Sequence, residues 1–355
     1  MEARMTERRV ATPQWARLTV AGLRAVVAAL SPPARRCLGR ALGWMWYRLV
    51  PVRRSVARAQ VASRLVLSRE ETERVVREMY LRLGARVVEV FGPAPRWRVH
   101  GLEAVEAQVP QGQGIIFVTA HLGQFERLAD AGLWRRRVHV ITSRFSVGPL
   151  QTLWAACREG RVTPLVQPGA NGRALRATLE RGDALAFMLD QHASAHSAVQ
   201  VECLGAPAWT STAPARLAIS SGAPLVVVYT AQGVDLESEA VVVGPTLWPD
   251  PTLSRAASVR DLTQRAVAAL DEAIRSNPAD WLWIHRRWKH GGDRAQRLEE
   301  RRRVRMTRLE PKDSRPRETS PVDAPYARCR DAQVEPCAHL EGPRDDVGLE
   351  EREGG

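Results

Sequence analysis

The sequence predicts an α/β fold: a mostly parallel central sheet flanked by helices, preceded by amphipathic helices and followed by a disordered tail. Three observations carry this. Short apolar runs at 115–118, 138–142, 162–166, 184–189 and 224–229 alternate with helical segments at 122–135, 149–159, 171–181, 210–221 and 258–276. Such alternation is the mark of parallel strands joined by helical crossovers. The first run, IIFV, is apolar at every position, as in a strand covered on both faces. Charge is also divided along the chain: residues 1–100 hold 20 Arg against seven Glu and no Asp, whereas 313–355 hold 11 acids and six Arg.

At 355 residues the chain can bury one substantial core with appendages. The reading divides it into an N-terminal helical, membrane-associated region (1–96), an α/β catalytic domain (97–292), and an Arg-rich helix with a disordered tail (293–355). Five cysteines are scattered without a CxxC pair, so neither a zinc site nor a disulfide framework is expected. His192 and His196 stand four apart in a loop-like stretch with no HExxH around them, and no metal is expected there. P-loop, GxGxxG and GxSxG patterns are all missing, so nucleotide and serine-hydrolase chemistries lack their anchor and no cofactor is expected.

In order along the chain, 15–30 is apolar but interrupted by Arg17 and Arg24, too short and too charged for a membrane span. No cleavage site follows it, so a secretory signal is not expected. After Pro32-Pro33, a second apolar stretch sets Trp44, Trp46 and Tyr47 beside Arg40, Arg48, Arg53 and Arg54. Rings at headgroup depth and guanidinium groups on phosphate suit a bilayer interface, and a helical hairpin packed on the catalytic domain would look similar. Residues 68–90 form a helix with a Ser68/Glu71 capping box and an apolar stripe (Val75, Val76, Met79, Leu83, Val87, Val90) expected to be core. Near the end, NPADWLWIHRRWKHGG at 277–292 gathers three tryptophans and reads as a closing element near the cleft. Stacked rings and cations would also suit RNA, but no recognised nucleic-acid motif is present and no nucleic-acid partner is expected.

The chemistry gathers at GIIFVTAHLGQFERLAD, residues 114–130. A buried strand running into a helix places its last residues at the carboxyl edge of the sheet, where open α/β folds bind ligands. His121 falls there, with Glu126 five residues on. Residues five apart on an ideal helix point about 140° from each other, so His121 must lie just before the helix if Glu126 is to hold its second ring nitrogen. A helix N-terminus favours the neutral imidazole a general base needs, and its free N–H groups suit negative charge developing on a carbonyl oxygen. Asp190-Gln191 follow the fourth run, and Asp190 could orient a base, hold a metal or bind a hydroxyl; Arg144 follows the second.

Four ordered blocks then carry a resemblance. LGRALGWMWYRLVPVRRSVARAQV, WRVHGLEAVEAQVPQGQGIIFVTAHLGQFE, LDQ with CLGAPAWTSTAPARLAISSGAPLVVV, and PADWLWIHRRWK resemble the late (secondary) acyltransferases of bacterial lipid A biosynthesis, in the lysophospholipid acyltransferase superfamily. The resemblance runs from about residue 38 to 291. It implies a glycerolipid-acyltransferase-like fold and transfer of an acyl chain from acyl-acyl carrier protein or acyl-CoA to a hydroxyl of a membrane glycolipid. His121 and Glu126 would be catalytic, with Arg144, Arg158, Asp190 and Gln191 binding substrate. It also implies an anionic membrane surface at the cytoplasmic face of the inner membrane. Gln124-Phe125 stand where the family usually writes Asn-Trp, Phe145 where Pro usually follows the arginine, and Cys203-Leu204 where an aromatic pair precedes Gly205. Acyltransferases of phosphatidylinositol mannosides share the blocks, and an inactive adaptor on the same scaffold is the other alternative.

Overall fold

The computed structural model describes residues 12–50, 52–131, 136–141, 148–159, 163–166, 172–232 and 238–289. The chain divides into two compact units, Met1–Arg294 and Ala295–Gly355. The second unit, with the expected Arg-rich helix and disordered tail, lies outside the described residues.

Four helices come first: α1 (Gln14–Ala29), α2 (Pro32–Arg48), α3 (Arg54–Arg64) and α4 (Arg69–Glu89). The capping box predicted for α4 is formed: the Glu71 N–H donates to Ser68 Oγ at 3.2 Å, and the Ser68 N–H donates to the Glu71 carboxylate at 2.8 Å. The crossing of α2 and α4 is made by glycines. A Cβ on Gly39 would strike the Ala85 backbone, one on Gly43 the backbone of Tyr80 and Leu81, and one on Gly84 that of Gly39 and Gly43. With no side chain in the way the two helices approach closely, and α2 can lay Arg35 on Glu89 (3.2 Å) and Arg40 on Glu78 (3.0 Å).

The chain then alternates. It runs through β1 (Arg96–His100), α5 (Leu102–Gln108), β2 (Ile115–Thr119), a 3-10 turn (Phe125–Ala131), β3 (Val138–Ile141), α6 (Gly148–Arg158), β4 (Thr163–Val166), α7 (Gly172–Glu180) and β5 (Ala184–Met188). A hairpin, β6 (Ala198–Cys203) and β7 (Ala206–Ser211), precedes α8 (Ala213–Ser221), β8 (Leu225–Gln232), β9 (Ser238–Leu247) and α9 (Arg255–Ser276). Seven strands form one sheet in the order β1-β9-β8-β2-β5-β3-β4, parallel throughout except at β8–β9. The expected mostly parallel sheet flanked by helices is what forms.

β2 lies at the centre and every residue in it is buried. Ile116 and Val118 face one layer with Leu185, Leu225 and Val227; Ile115 and Phe117 face the other with Val226, Val228 and Val241. Each such side chain contributes about 1.5–3 kcal/mol when fully buried, which makes β2 a rigid stem for whatever follows it.

Two elements differ from the sequence reading. The helix expected at 210–221 begins only at Ala213, because 206–211 pairs antiparallel with 198–203. The hairpin turns on Leu204 and Gly205, with φ of 48° and 76°. A leucine in the left-handed region does not advertise a turn as Asn-Gly would. Where a helix is expected at 122–135, the described residues form a turn followed by the 3-10 segment, since Gly123 has φ 62° and a Cβ there would meet Thr230, and 132–135 lie outside the described residues.

Candidate active site

β2 and β5 pair in parallel register, with Thr119 opposite Met188. Two residues past each strand stand His121 and Asp190, so register alone sets them side by side at the carboxyl edge. His121 Nδ1 lies 2.9 Å from Asp190 Oδ1. Asp190 Oδ2 accepts the backbone N–H of His121 and the indole N–H of Trp281, each at 2.8 Å. Burial alone would raise the Asp190 pKa, but His121 and these donors hold the carboxyl well below the usual range. A charged Asp190 fixes the proton on Nδ1 and leaves the Nε2 lone pair open. The Gln191 amide stands 3.3 Å from that Nε2. Burial pulls the His121 pKa down, yet the charge and hydrogen bond of Asp190 outweigh it, and the net shift is upward.

Glu126 does not hold His121. Its carboxylate takes Arg158 in a two-point pair, Nε to Oε2 at 2.9 Å and Nη2 to Oε1 at 2.6 Å, and accepts the Trp154 indole N–H at 3.1 Å. The left-handed Gly123 turns the chain away from the imidazole, Phe125 packs edge-on to it with ring centroids 4.8 Å apart, and Glu126 is carried toward α6. Glu126 reaches His121 only through its field, which raises the imidazole pKa, while Arg158 lowers it. Glu126→Ala is therefore expected to act through Arg158. Either single variant should lose about 10–100-fold in kcat/KM, since removing one partner of a charge-assisted pair costs about 1.5–3 kcal/mol. The double variant should be little worse than either one, a coupling that a double-mutant cycle reads directly. Additive losses would separate the two roles.

Arg144 lies outside the described residues. The amides expected to face a developing oxyanion are spent elsewhere: the His121 N–H on Asp190, the Leu122 N–H on Ala120 O at 2.7 Å, and the Gly123 N–H on Asp280 O at 3.2 Å.

What the sequence reading underused is the tryptophan block. Leu122 bridges Trp281, and the Leu282 N–H donates to His121 O at 3.1 Å. Trp281 and Trp283 are buried, packed edge to face. This stitching sets the His285 ring 4.9 Å from that of His121. His285 Nε2 is buried and has no hydrogen-bond partner among the described residues. Burial, then the nearby His121 charge, push the His285 pKa down to about 4, so it stays neutral at working pH. The α4 stripe is also more than core: Met79, Leu83 and Val87 join Phe125, Trp154 and Leu282 around a narrow apolar cleft of about 80 Å³ at His121. Nothing in a 3.6-residue repeat distinguishes a groove wall from a core face.

The sequence profile described as bacterial lipid A biosynthesis acyltransferase matches residues 3–290. No curated protein matches the chain. Among solved structures it is similar to the 1-acyl-sn-glycerophosphate (LPA) acyltransferase PlsC from Thermotoga maritima, at 13% identity and TM-score 0.33, over 68% of this chain and 98% of that one.

Proposed function

The chain belongs to the bacterial lipid A biosynthesis acyltransferase family, and from that premise we propose that it moves a fatty acyl chain from acyl-acyl carrier protein to a hydroxyl of a lipid A precursor. The observation that carries the mechanism is the Asp190 carboxylate 2.9 Å from Nδ1 of a histidine that lines an apolar cleft. His121 Nε2 takes the proton of the acceptor hydroxyl as its oxygen attacks the thioester carbonyl carbon. A C–O bond forms and the carbonyl electrons move to oxygen. When the tetrahedral intermediate collapses, the C–S bond breaks and the imidazolium returns its proton to the departing thiolate. Asp190 stabilises the imidazolium between the two steps. Gln191 holds Nε2 until the hydroxyl replaces it.

In this reading the oxyanion is met by the N–H of neutral His285, because its Nε2 is a buried polar atom on a ring beside His121 with no hydrogen-bond partner among the described residues. His285→Phe keeps a ring of similar shape without a donor. It is expected to lower kcat by about 10²–10³ with KM little changed, the scale for one oxyanion donor, and His285→Gln should recover part of it. Steady-state kinetics with equal kcat in all three proteins would remove His285 from the mechanism.

The test of the reaction is direct. Purified protein is given acyl-acyl carrier protein or acyl-CoA with a lipid A precursor or a phosphatidylinositol mannoside, and products are weighed by mass spectrometry. Gain of one acyl group on the lipid A precursor is expected, and gain only on the mannoside would reassign the acceptor. No acylated lipid from any pairing would end the proposal.

Membrane attachment is read from the first helices. Trp15, Leu18 and Val26 of α1 and Leu38, Trp44 and Met45 of α2 are exposed, among many arginines. Among the described residues no helix is long and apolar enough to cross a membrane. A peripheral seat on the anionic cytoplasmic face of the inner membrane fits this combination. Flotation with anionic vesicles is expected for the protein and is expected to fail for Trp15→Glu/Trp44→Glu; equal flotation of both would refute the seat.

A further inference from the structure

His285 is carried by a segment that belongs to no helix or strand. Beyond the 3-10 turn at Pro278–Asp280, the described chain runs to residue 289 without a further element. The carbonyls of such a segment need partners from elsewhere, and those partners decide where its side chains are held. They come from α3, at the far end of the sequence.

Gln60 of α3 is the centre of this grip. Its Nε2 donates to Trp283 O at 2.6 Å and to His285 O at 2.8 Å, and its Oε1 accepts the Arg287 N–H at 3.0 Å. One side-chain amide thus engages three alternate residues, much as a neighbouring strand would. Its orientation is set, since a flipped amide would turn its oxygen on two carbonyls. Arg53, just before α3, reaches Ile284 O at 3.5 Å, and the Arg64 guanidinium lies 5.1 Å from the centre of the Trp288 ring. Of these contacts, that of Gln60 is the one that falls on the carbonyl of His285. Ala57 and Val61 anchor the same helix in the core.

Arg287 carries the grip inward. It is fully buried and donates from Nη1 to Gln191 O at 2.9 Å and Trp209 O at 2.7 Å, and from Nη2 to Thr210 Oγ1. The two groups set beside the His121 ring, the Gln191 amide and the His285 imidazole, therefore hang from one hydrogen-bonded set.

We propose that Gln60 is a positioning residue for acyl transfer: through the main chain of residues 283–287 it fixes the His285 ring against His121. Gln60 acts through His285 and touches no reacting atom. Its effect on the reaction rests on the reading of His285 as the oxyanion donor, whereas its effect on the ring does not.

The experiment follows the ring first, without substrate. Histidine resonances of the full-length protein are titrated by NMR, the His285 signal being the one lost in His285→Phe. The charges near this ring are those of His121, Asp190, Arg53 and Lys289, and burial is the leading cause of its low pKa of about 4. Gln60→Met keeps a side chain of similar length and removes the amide. It is expected to let water reach the ring and raise the His285 midpoint by about one pH unit or more. The resonance of His139, buried on β3, should stay in place as a control on the fold. Gln60→Asn keeps an amide too short to reach both carbonyls and should move the midpoint less, which supplies a milder variant if Gln60→Met does not fold. In kinetics, kcat of Gln60→Met should fall about tenfold or more with KM within about twofold, the pattern of an interaction made in the transition state. The same substitution should cost nothing further in His285→Phe, where the group it positions is already gone. An unmoved His285 midpoint, a loss that multiplies in the His285→Phe background, or an unchanged kcat despite a moved ring would overturn the role. A moved ring in a protein that acylates no lipid would keep Gln60 as the residue that sets His285 and reject the acyl-transfer reading.

Discussion

Asp190→Asn is expected to lower kcat by about 10³–10⁴, the scale seen when a buried aspartate behind a catalytic histidine becomes an amide. The shape is kept, so the fold should survive. What goes is the negative charge that pins the proton on Nδ1 and offsets the imidazolium. The pH profile makes the test specific. His121 must be neutral to act, and its pKa is raised, so kcat/KM of the wild-type protein should fall as pH drops through a value above 6.5. Without Asp190 the leading influence left on the ring is burial, which lowers the pKa, so the acid limb should move to lower pH while the plateau falls. An acid limb that stays in place, or a loss under tenfold, would show that Asp190 does not govern His121.

His121→Ala is expected to remove transfer altogether, at least about 10⁴-fold when the base and its oriented lone pair go together. Neither of the two buried cysteines is fit to substitute as nucleophile. Cys157 and Cys203 are buried, and burial pushes the Cys203 thiol up to about 12. Thiol release from the acyl donor, followed together with far-UV circular dichroism, separates lost chemistry from lost fold. Release at the wild-type rate from a folded His121→Ala protein would mean that another group does the work.

The fold was largely legible in the sequence because period and length are local properties: the all-apolar run of β2 and the capping box of α4 are written in consecutive residues. His121 was legible for the same reason, lying at the junction of two periods. Its partner was not. Asp190 read as one of several strand-exit residues, since nothing in the chain says that β5, rather than another strand, lies beside β2. Glu126 attracted the assignment because it is near in sequence, and a single left-handed glycine sends it elsewhere. Trp281 and His285 were read as a closing element, but which strand exit they close depends on pairing across most of the chain.

That last pairing has a bearing on biosynthesis. Helices α2, α3 and α4 precede the sheet in the chain and pack on one another, whereas Asp190 and His121 gain their last donors from Trp281 and Leu282. Contacts so distant in sequence are slow to form. A growing chain therefore holds His121 and Asp190 without their full set of partners until the segment around Trp281 has been made.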